Sequence, residues 1–289
     1  MILSDKQKGV TLSLFGVLVI TSDSLLIRLI NLPSWELLFY RGAVPSIFLL
    51  ITLLFYYKKK ILHSFIINGL PGFFYAIIMA LGNTTFVISI QNTNVANTLI
   101  MIALTPFATA ILSSIFLKEH PSKRMWLTIL ACFLCVLFIF YESYQVGRIF
   151  GDFFGLLTAV LVGGGAVVVR YCKMVNFLPS LLMSKLFTLM IPFLFMQSFP
   201  DILLINYSQF YLILIMGTCL YIAFTFITLA PRYIPAYEVE IFFVLETILG
   251  PLWVWFFIQE SPSIRTMIGG IVIILIIISH TFSELRKKY

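Results

Sequence analysis

The sequence predicts an all-α, polytopic membrane protein with ten transmembrane helices arranged as two inverted five-helix repeats. Composition is the first observation behind this fold class: 61% of the 289 residues are hydrophobic, 11% are charged, and the mean hydropathy is +1.04. These values are typical of lipid-embedded chains rather than soluble domains. The other two observations are a series of long apolar runs and a similarity between the two halves of the chain.

Ten apolar runs reach the length of about 20 residues that a membrane-spanning helix needs. They lie near residues 10–30, 33–57, 65–88, 92–117, 123–142, 150–171, 178–199, 207–229, 234–258 and 263–283. No stretch between them is polar enough for a separate soluble domain, so residues 1–289 are expected to form a single membrane domain. Four prolines inside runs are expected to bend or break their helices: Pro45, Pro106, Pro192 and Pro251.

Lysine and arginine set the predicted orientation, because short cytoplasmic loops are enriched in these residues. With both termini inside, only Arg28, Arg148 and Arg265 fall outside. The cytoplasmic side then holds Lys6, Lys8, Lys58, Lys59, Lys60, Lys118, Lys123, Arg124, Arg170, Lys173, Arg232, Arg286, Lys287 and Lys288. The net charge of +7 is therefore read as membrane anchoring rather than nucleic-acid binding. A multi-pass location in a bacterial inner membrane is expected, with the membrane of a eukaryotic organelle as the alternative.

The two halves of the chain resemble each other. LKEHPSKR at 117–124 matches IQESPSIR at 258–265 with a shift of 141, and SDSLLIRL at 22–29 resembles GGAVVVRY at 164–171 with a shift of 142. Repeat 1 is expected to cover about residues 10–142 and repeat 2 about residues 150–283. Because five spans is an odd number, the second repeat enters the membrane from the opposite side, as in secondary carriers.

Ionisable residues inside spans are the first candidates for a site, since charge in mid-bilayer is costly unless it faces a cavity or a partner. The four are Asp23, Arg41, Lys185 and Glu246. Glu246 is expected to bind a cationic or amine group or to carry a proton. Asp23 has no local partner and is considered for solute or proton binding. Arg41 and Lys185 are coupling or structural charges, and for Arg41 pairing with a carboxylate or with backbone carbonyls remains an alternative.

Polar side chains at helical spacing extend this candidate site. The stripes are Asn94, Asn97, Thr98, Met101 and Thr105; Tyr75, Met79, Asn83 and Phe86; Thr218, Tyr221, Thr225 and Thr228; and Glu246, Gly250, Trp253 and Phe257. We expect them to line one central cavity and to bind a small-molecule solute through Asp23, Asn83, Asn94, Asn97, Tyr221, Thr225, Glu246 and Trp253. Hydrogen bonding between neighbouring helices is the alternative for the polar stripes.

Other features carry structural expectations. Glu238 and Glu240 lie near the cytoplasmic end of the ninth run and are expected to reach water. Glu119 and Glu260 are expected to have structural roles at turns, before the helix caps Ser122 and Ser263. The pair Cys132 and Cys135 is expected to place two small apolar side chains on one helix face, without a disulfide.

Three motifs stand out in the chain: FYRG with Arg41, ALTPFATAILSSIFLKE at 103–119 and FVLETILGPLWVWFFIQE at 243–260. In their order and spacing they resemble the EamA family of the drug/metabolite transporter superfamily. The resemblance implies a ten-helix carrier that exports or imports small solutes such as amino acids, nucleotide-like metabolites or drugs. Family members often carry Glu-Pro in the ninth helix, where this chain has Glu246-Thr247 and the proline follows at Pro251.

We therefore expect a secondary transporter that works by alternating access, as a monomer or homodimer, with Pro106, Gly250 and Pro251 as hinges. No GxxxxGK[ST] phosphate loop occurs, so ATP hydrolysis within the chain is excluded as the energy source. A membrane enzyme is disfavoured, and no metal or cofactor is expected, because His63, His120 and His280 lie near helix ends without a second ligand at suitable spacing. A channel or a membrane scaffold remains the alternative.

Overall fold

The computed structural model describes residues 5–118, 123–145, 147–172, 174–195, 205–234, 239–240 and 242–287. This described part is helical and contains no strand. Its helices are α1 (Asp5–Ile20), α2 (Asp23–Ile30), α3 (Ser34–Tyr57), α4 (Ile61–Asn92), α5 (Val95–Ile102), α6 (Thr105–Phe116), α7 (Lys123–Gln145), α8 (Ile149–Tyr171), α9 (Leu178–Met190), α10 (Tyr207–Leu229), α11 (Val244–Ile258) and α12 (Ile264–Lys287).

Five helical segments in the described ranges are long and apolar enough to cross a membrane. They are Asp5–Ile30, Ser34–Asn92, Val95–Phe116, Ile149–Tyr171 and Tyr207–Arg232. Shorter apolar helices occupy Trp126–Ile139, Leu178–Leu194, Leu245–Ile258 and Ile264–Ile276. These segments are consistent with an all-helical polytopic membrane protein, while the count of ten spans and the inversion of the repeats stay predictions.

Interruptions divide several of the predicted spans. The first run breaks at Thr21–Ser22, between α1 and α2, and the fourth breaks at Ala103–Leu104, directly before α6. Pro106 is the second residue of α6, where its missing N–H leaves no hydrogen bond unmade. In α4 the chain kinks at Gly69, whose φ of 52° is readily adopted by glycine.

The ninth run is interrupted at a different place from the one expected. A turn at Phe242–Phe243 precedes α11, and this helix then continues through Gly250 and Pro251 without a break. Helix α3 likewise continues through Pro45. Membrane helices tolerate internal prolines because neighbouring helices and hydroxyl side chains satisfy the freed backbone groups.

Buried apolar side chains join helices from both halves of the chain. One cluster contains residues of α1 to α5 together with residues of α10 and α11. Helices α3 and α9 approach closely at Gly42, where a methyl group would lie 2.7 Å from both Leu189 Cα and the carbonyl oxygen of Lys185. This backbone contact is of the kind that small residues permit in membrane helix pairs.

Candidate functional site

An ion pair lies at the centre of the candidate site. Arg41 Nη1, on α3, is 2.6 Å from Asp23 Oδ1, at the first residue of α2. Arg41 Nε and Nη2 also donate to Asn83 Oδ1 on α4, at 3.1 Å and 3.0 Å. Asp23, for which the sequence offers no local partner, thus pairs with a residue of the next span. The pairing with a carboxylate that the sequence left open for Arg41 is present.

Two further embedded charges lie near this pair. Lys185, on α9, is buried, and its Nζ lies 4.0 Å from the centre of the Phe224 ring. It interacts electrostatically with Arg41 and Asp23. Glu246 is also buried and interacts electrostatically with Asp23 and Arg41. The four embedded residues singled out from the sequence are thus brought together.

Glu240 joins the same group. It is 2% exposed and interacts electrostatically with Glu246, so it does not reach water as the sequence suggested. Glu238 lies outside the described residues. We call Asp23, Arg41, Lys185, Glu240 and Glu246 the charge cluster. It combines two cationic groups with three carboxyl groups, all withdrawn from water, which is costly unless each is paired or hydrogen-bonded.

The backbone places Glu246 at the start of a helix. It is the third residue of α11, just after the Phe242–Phe243 turn. The first-turn N–H groups and the helix dipole favour a negative charge at this end. Thr247 Oγ1 lies 3.2 Å from the carbonyl oxygen of Leu99, so the start of α11 packs against α5 close to the interruption before α6.

Hydrogen bonding around the charge cluster is incomplete. Within the described ranges, Asp23 Oδ2, Asn83 Nδ2 and Glu240 Oε2 are buried and have no hydrogen-bond partner. The first and the third are acceptors when ionised, and Asn83 Nδ2 is a donor. Buried polar groups in folded proteins are nearly always satisfied, so each of these atoms requires an explanation.

The polar stripe on α10 bonds mainly to neighbouring helices or to its own backbone. The Tyr221 hydroxyl lies 2.6 Å from Thr52 Oγ1 on α3, and Thr225 Oγ1 donates to the Tyr221 carbonyl oxygen at 2.6 Å. Trp253 Nε1 donates to Thr21 Oγ1 at 3.4 Å, from a side chain that is 40% exposed. The Tyr221 and Trp253 contacts join different helical segments, as in the alternative for the polar stripes, whereas the Thr225 contact stays within its own helix.

Asn94 and Asn97 belong to a second polar network, at the start of α5. Asn97 Nδ2 lies 3.2 Å from both carboxylate oxygens of Asp152, and Asn97 Oδ1 accepts from Thr266 at 2.6 Å. Asn94 Oδ1 accepts from Arg148 at 2.7 Å. Asp152 was not predicted as a site residue, and it is fully buried in the first turn of α8. It lies near the end of a predicted span, where a carboxylate often reaches water.

Glu260 ties the same region together. Its Oε2 lies 3.0 Å from Arg28 Nε, and its Oε1 accepts from the backbone N–H of Val95 at 3.0 Å. These contacts connect α2, α5 and the end of α11, which agrees with the expected structural role of Glu260. Ser263 Oγ accepts from the Thr266 N–H at 3.1 Å, as expected for a helix cap. Glu119 and Ser122 lie outside the described residues.

A groove of about 800 Å³ lies between α4, α6 and α8. Its walls are apolar and contain none of the residues predicted to bind solute. The charge cluster lies apart from this groove and is packed away from the molecular surface, since Asp23 and Arg41 are each 1% exposed.

Comparison with known proteins agrees with this architecture. Residues 7–141 match the EamA-like transporter family. The pseudopaline exporter CntI of Pseudomonas aeruginosa, from strains UCBPP-PA14 and PAO1, is in each case 22% identical over 286 residues, covering 95% of this chain and 96% of the exporter. A crystal structure 12% identical to this chain has the same fold, with a TM-score of 0.69 and coverage of 97% of this chain and 99% of the other. The first half of the chain therefore resembles the EamA-like transporter family, a match carried by residues 7–141.

Proposed function

We propose that this protein is a secondary transporter that moves a small organic solute, an amino acid or a related metabolite, across a bacterial inner membrane by alternating access. The observation that carries the proposal is the charge cluster with its unsatisfied polar atoms. Buried ionisable groups in membrane spans typically mark substrate or ion pathways. The pseudopaline exporters, as relatives, favour export as the direction of transport.

The solute would bind at the Asp23–Arg41–Asn83 part of the cluster. A ligand with one hydrogen-bond donor and one acceptor satisfies Asp23 Oδ2 and Asn83 Nδ2 together. Glu246 carries a proton, and its release is coupled to the conformational change. Tyr221, Thr225, Trp253, Asn94 and Asn97 are proposed as further residues that contact the solute during transport.

The movement that we propose is a rocking of two inverted repeats, about residues 10–142 and 150–283, in ten spans. Two helix interruptions support this movement, one at Ala103–Leu104 and the other at Phe242–Phe243. The shift of 141 residues pairs Thr105 with Glu246. Each of the two lies in the first turn of the helix that follows its interruption. Discontinuous helices at the repeat interface form the binding sites of many carriers. Pro106, Gly250 and Pro251 act as hinges.

Solute flux into proteoliposomes tests this function. Amino acids, nucleosides and cationic metabolites are screened with and without a pH gradient, and we expect one class to show saturable uptake and counterflow. Flux that rises linearly without counterflow would indicate a channel, and the absence of both flux and binding would indicate a scaffold.

Variants test the coupling. Glu246→Gln is expected to abolish the dependence of flux on the pH gradient, and Asp23→Asn to weaken solute binding. Asp5→Asn is the matched carboxylate control, because Asp5 is 77% exposed and lies at the first residue of α1, away from the cluster. Transport by Glu246→Gln and Asp23→Asn that equals that of the unchanged protein at every pH would refute the mechanism.

A further inference from the structure

The groove between α4, α6 and α8 has a shape that a single bound molecule fits. Its volume of about 800 Å³ falls within the range of roughly 300–1,000 Å³ that is usual for ligand sites. Gly164 is one of the residues that line it, and we call this position the floor of the groove. A methyl group at Gly164 would be 3.7 Å from Leu112 and 3.8 Å from Ile78, so the space above it is left open by the missing side chain.

The groove opens on the outer surface of the helices. Leu70, Phe74, Phe116 and Tyr171 line it, and these side chains are 65%, 51%, 69% and 70% exposed. Helices α6 and α8 form two of its walls, and both belong to segments long and apolar enough to span the membrane. An apolar groove of this kind on a membrane span accepts hydrocarbon.

Two cations are chain neighbours of residues that line one end of the groove. Leu117 and Tyr171 line that end, and their chain neighbours are Lys118 and Arg170. Lys118 is exposed, and it follows the last residue of α6 by two positions. Arg170 lies in the last turn of α8. Cations at the ends of membrane spans lie at the depth of lipid headgroups, where they attract phosphate.

We propose that this groove is a binding site for one anionic phospholipid, with an acyl chain against Gly164 and the phosphate between Lys118 and Arg170. The apolar walls match the hydrocarbon and the two cations match the headgroup. A second copy of this chain is a poorer occupant, because a symmetric interface would bring the same cations of both copies together.

The lipid is tested by native mass spectrometry of the purified chain in detergent, with phosphatidylglycerol and phosphatidylcholine of identical acyl chains. We expect one bound phosphatidylglycerol per chain and a preference over phosphatidylcholine of roughly thirtyfold, as two headgroup contacts predict. Equal binding of the two lipids would overturn the proposal. A second outcome would also overturn it: a disulfide cross-link between two copies of the Phe116→Cys variant that added lipid prevents. Such a cross-link would assign the groove to a second chain.

Variants separate the two parts of the site. Lys118→Gln with Arg170→Gln is expected to remove the preference for phosphatidylglycerol, whereas Lys59→Gln with Lys60→Gln is the control of equal charge in the turn between α3 and α4. Gly164→Leu is expected to weaken the binding of both lipids equally, because the leucine side chain would fill the floor of the groove. The charge variants alter only helix ends, so they keep the test valid if Gly164→Leu fails to fold. An equal loss in both double variants, or unchanged lipid binding in a folded Gly164→Leu protein, would contradict the site.

Discussion

Arg41 and Asp23 form an ion pair with an Nη1 to Oδ1 distance of 2.6 Å, and both side chains are 1% exposed. The pair joins α3 to α2, and Asn83 extends it to α4. A buried pair of this kind contributes little net stability relative to apolar residues, but removing one partner leaves a charge without compensation. The stability of the fold and the chemistry of the site therefore depend on the same residues.

Arg41→Gln is predicted to lower the free energy of unfolding by about 3–5 kcal/mol, because it leaves Asp23 charged, buried and unpaired. The double variant Asp23→Asn with Arg41→Gln recovers part of this loss. Reversible unfolding in mixed micelles measures both, and a double-mutant cycle gives the coupling.

The exposed pair of Lys8 and Asp5, with an Nζ to Oδ1 distance of 3.2 Å, is the control for that cycle. Lys8→Gln is expected to cost less than about 1 kcal/mol, since water screens exposed charges. If Arg41→Gln lowers the free energy of unfolding by no more than Lys8→Gln does, another group compensates the buried charge of Asp23.

Glu246→Gln is predicted to leave the thermal unfolding temperature unchanged or to raise it. The amide keeps the shape of the carboxyl group and removes the cost of burying a charge. Thermal unfolding followed by intrinsic fluorescence is the measurement. A fall in stability as large as that of Arg41→Gln would instead identify Glu246 as a structural partner of the cations.

Glu260→Ala is predicted to lower the free energy of unfolding by about 1–2 kcal/mol, because it removes the acceptor for the Val95 N–H at the start of α5. Glu260→Gln is the matched control and is expected to cost less than about 1 kcal/mol, since its amide oxygen still accepts while a partly exposed ion pair is lost. Equal losses in the two variants would show that charge, rather than the hydrogen bond, matters at this position.

Gly42→Ala is predicted to lower the free energy of unfolding by about 1–3 kcal/mol or more, because its methyl group would overlap backbone atoms of α9. Gly164→Ala is the control, since its methyl group meets only ordinary contacts at 3.7 Å and 3.8 Å. We expect it to change stability by no more than about 0.5 kcal/mol. Unfolding in mixed micelles compares the two, and equal effects would mean that α3 and α9 separate easily.

The sequence located the embedded charges but not their contacts. Asp23, Arg41, Lys185 and Glu246 were recognisable because charge within an apolar run is unusual. Glu240 and Asp152 were not, because both lie near the ends of predicted spans, where a carboxylate often reaches water. Their burial, at 2% and 0% exposure, depends on the neighbouring helices that cover them.

Hydropathy and motif order are properties of local sequence, so they were enough to predict a helical membrane protein that resembles the EamA-like transporters over residues 7–141. The pairing of Asp23 with Arg41 is visible only in the folded protein, because that contact depends on how α2 and α3 are rotated against each other. The tertiary structure also decided that the ninth run is interrupted at Phe242–Phe243 rather than at Pro251. A proline breaks a membrane helix only where the surrounding helices fail to satisfy the backbone that it leaves unbonded.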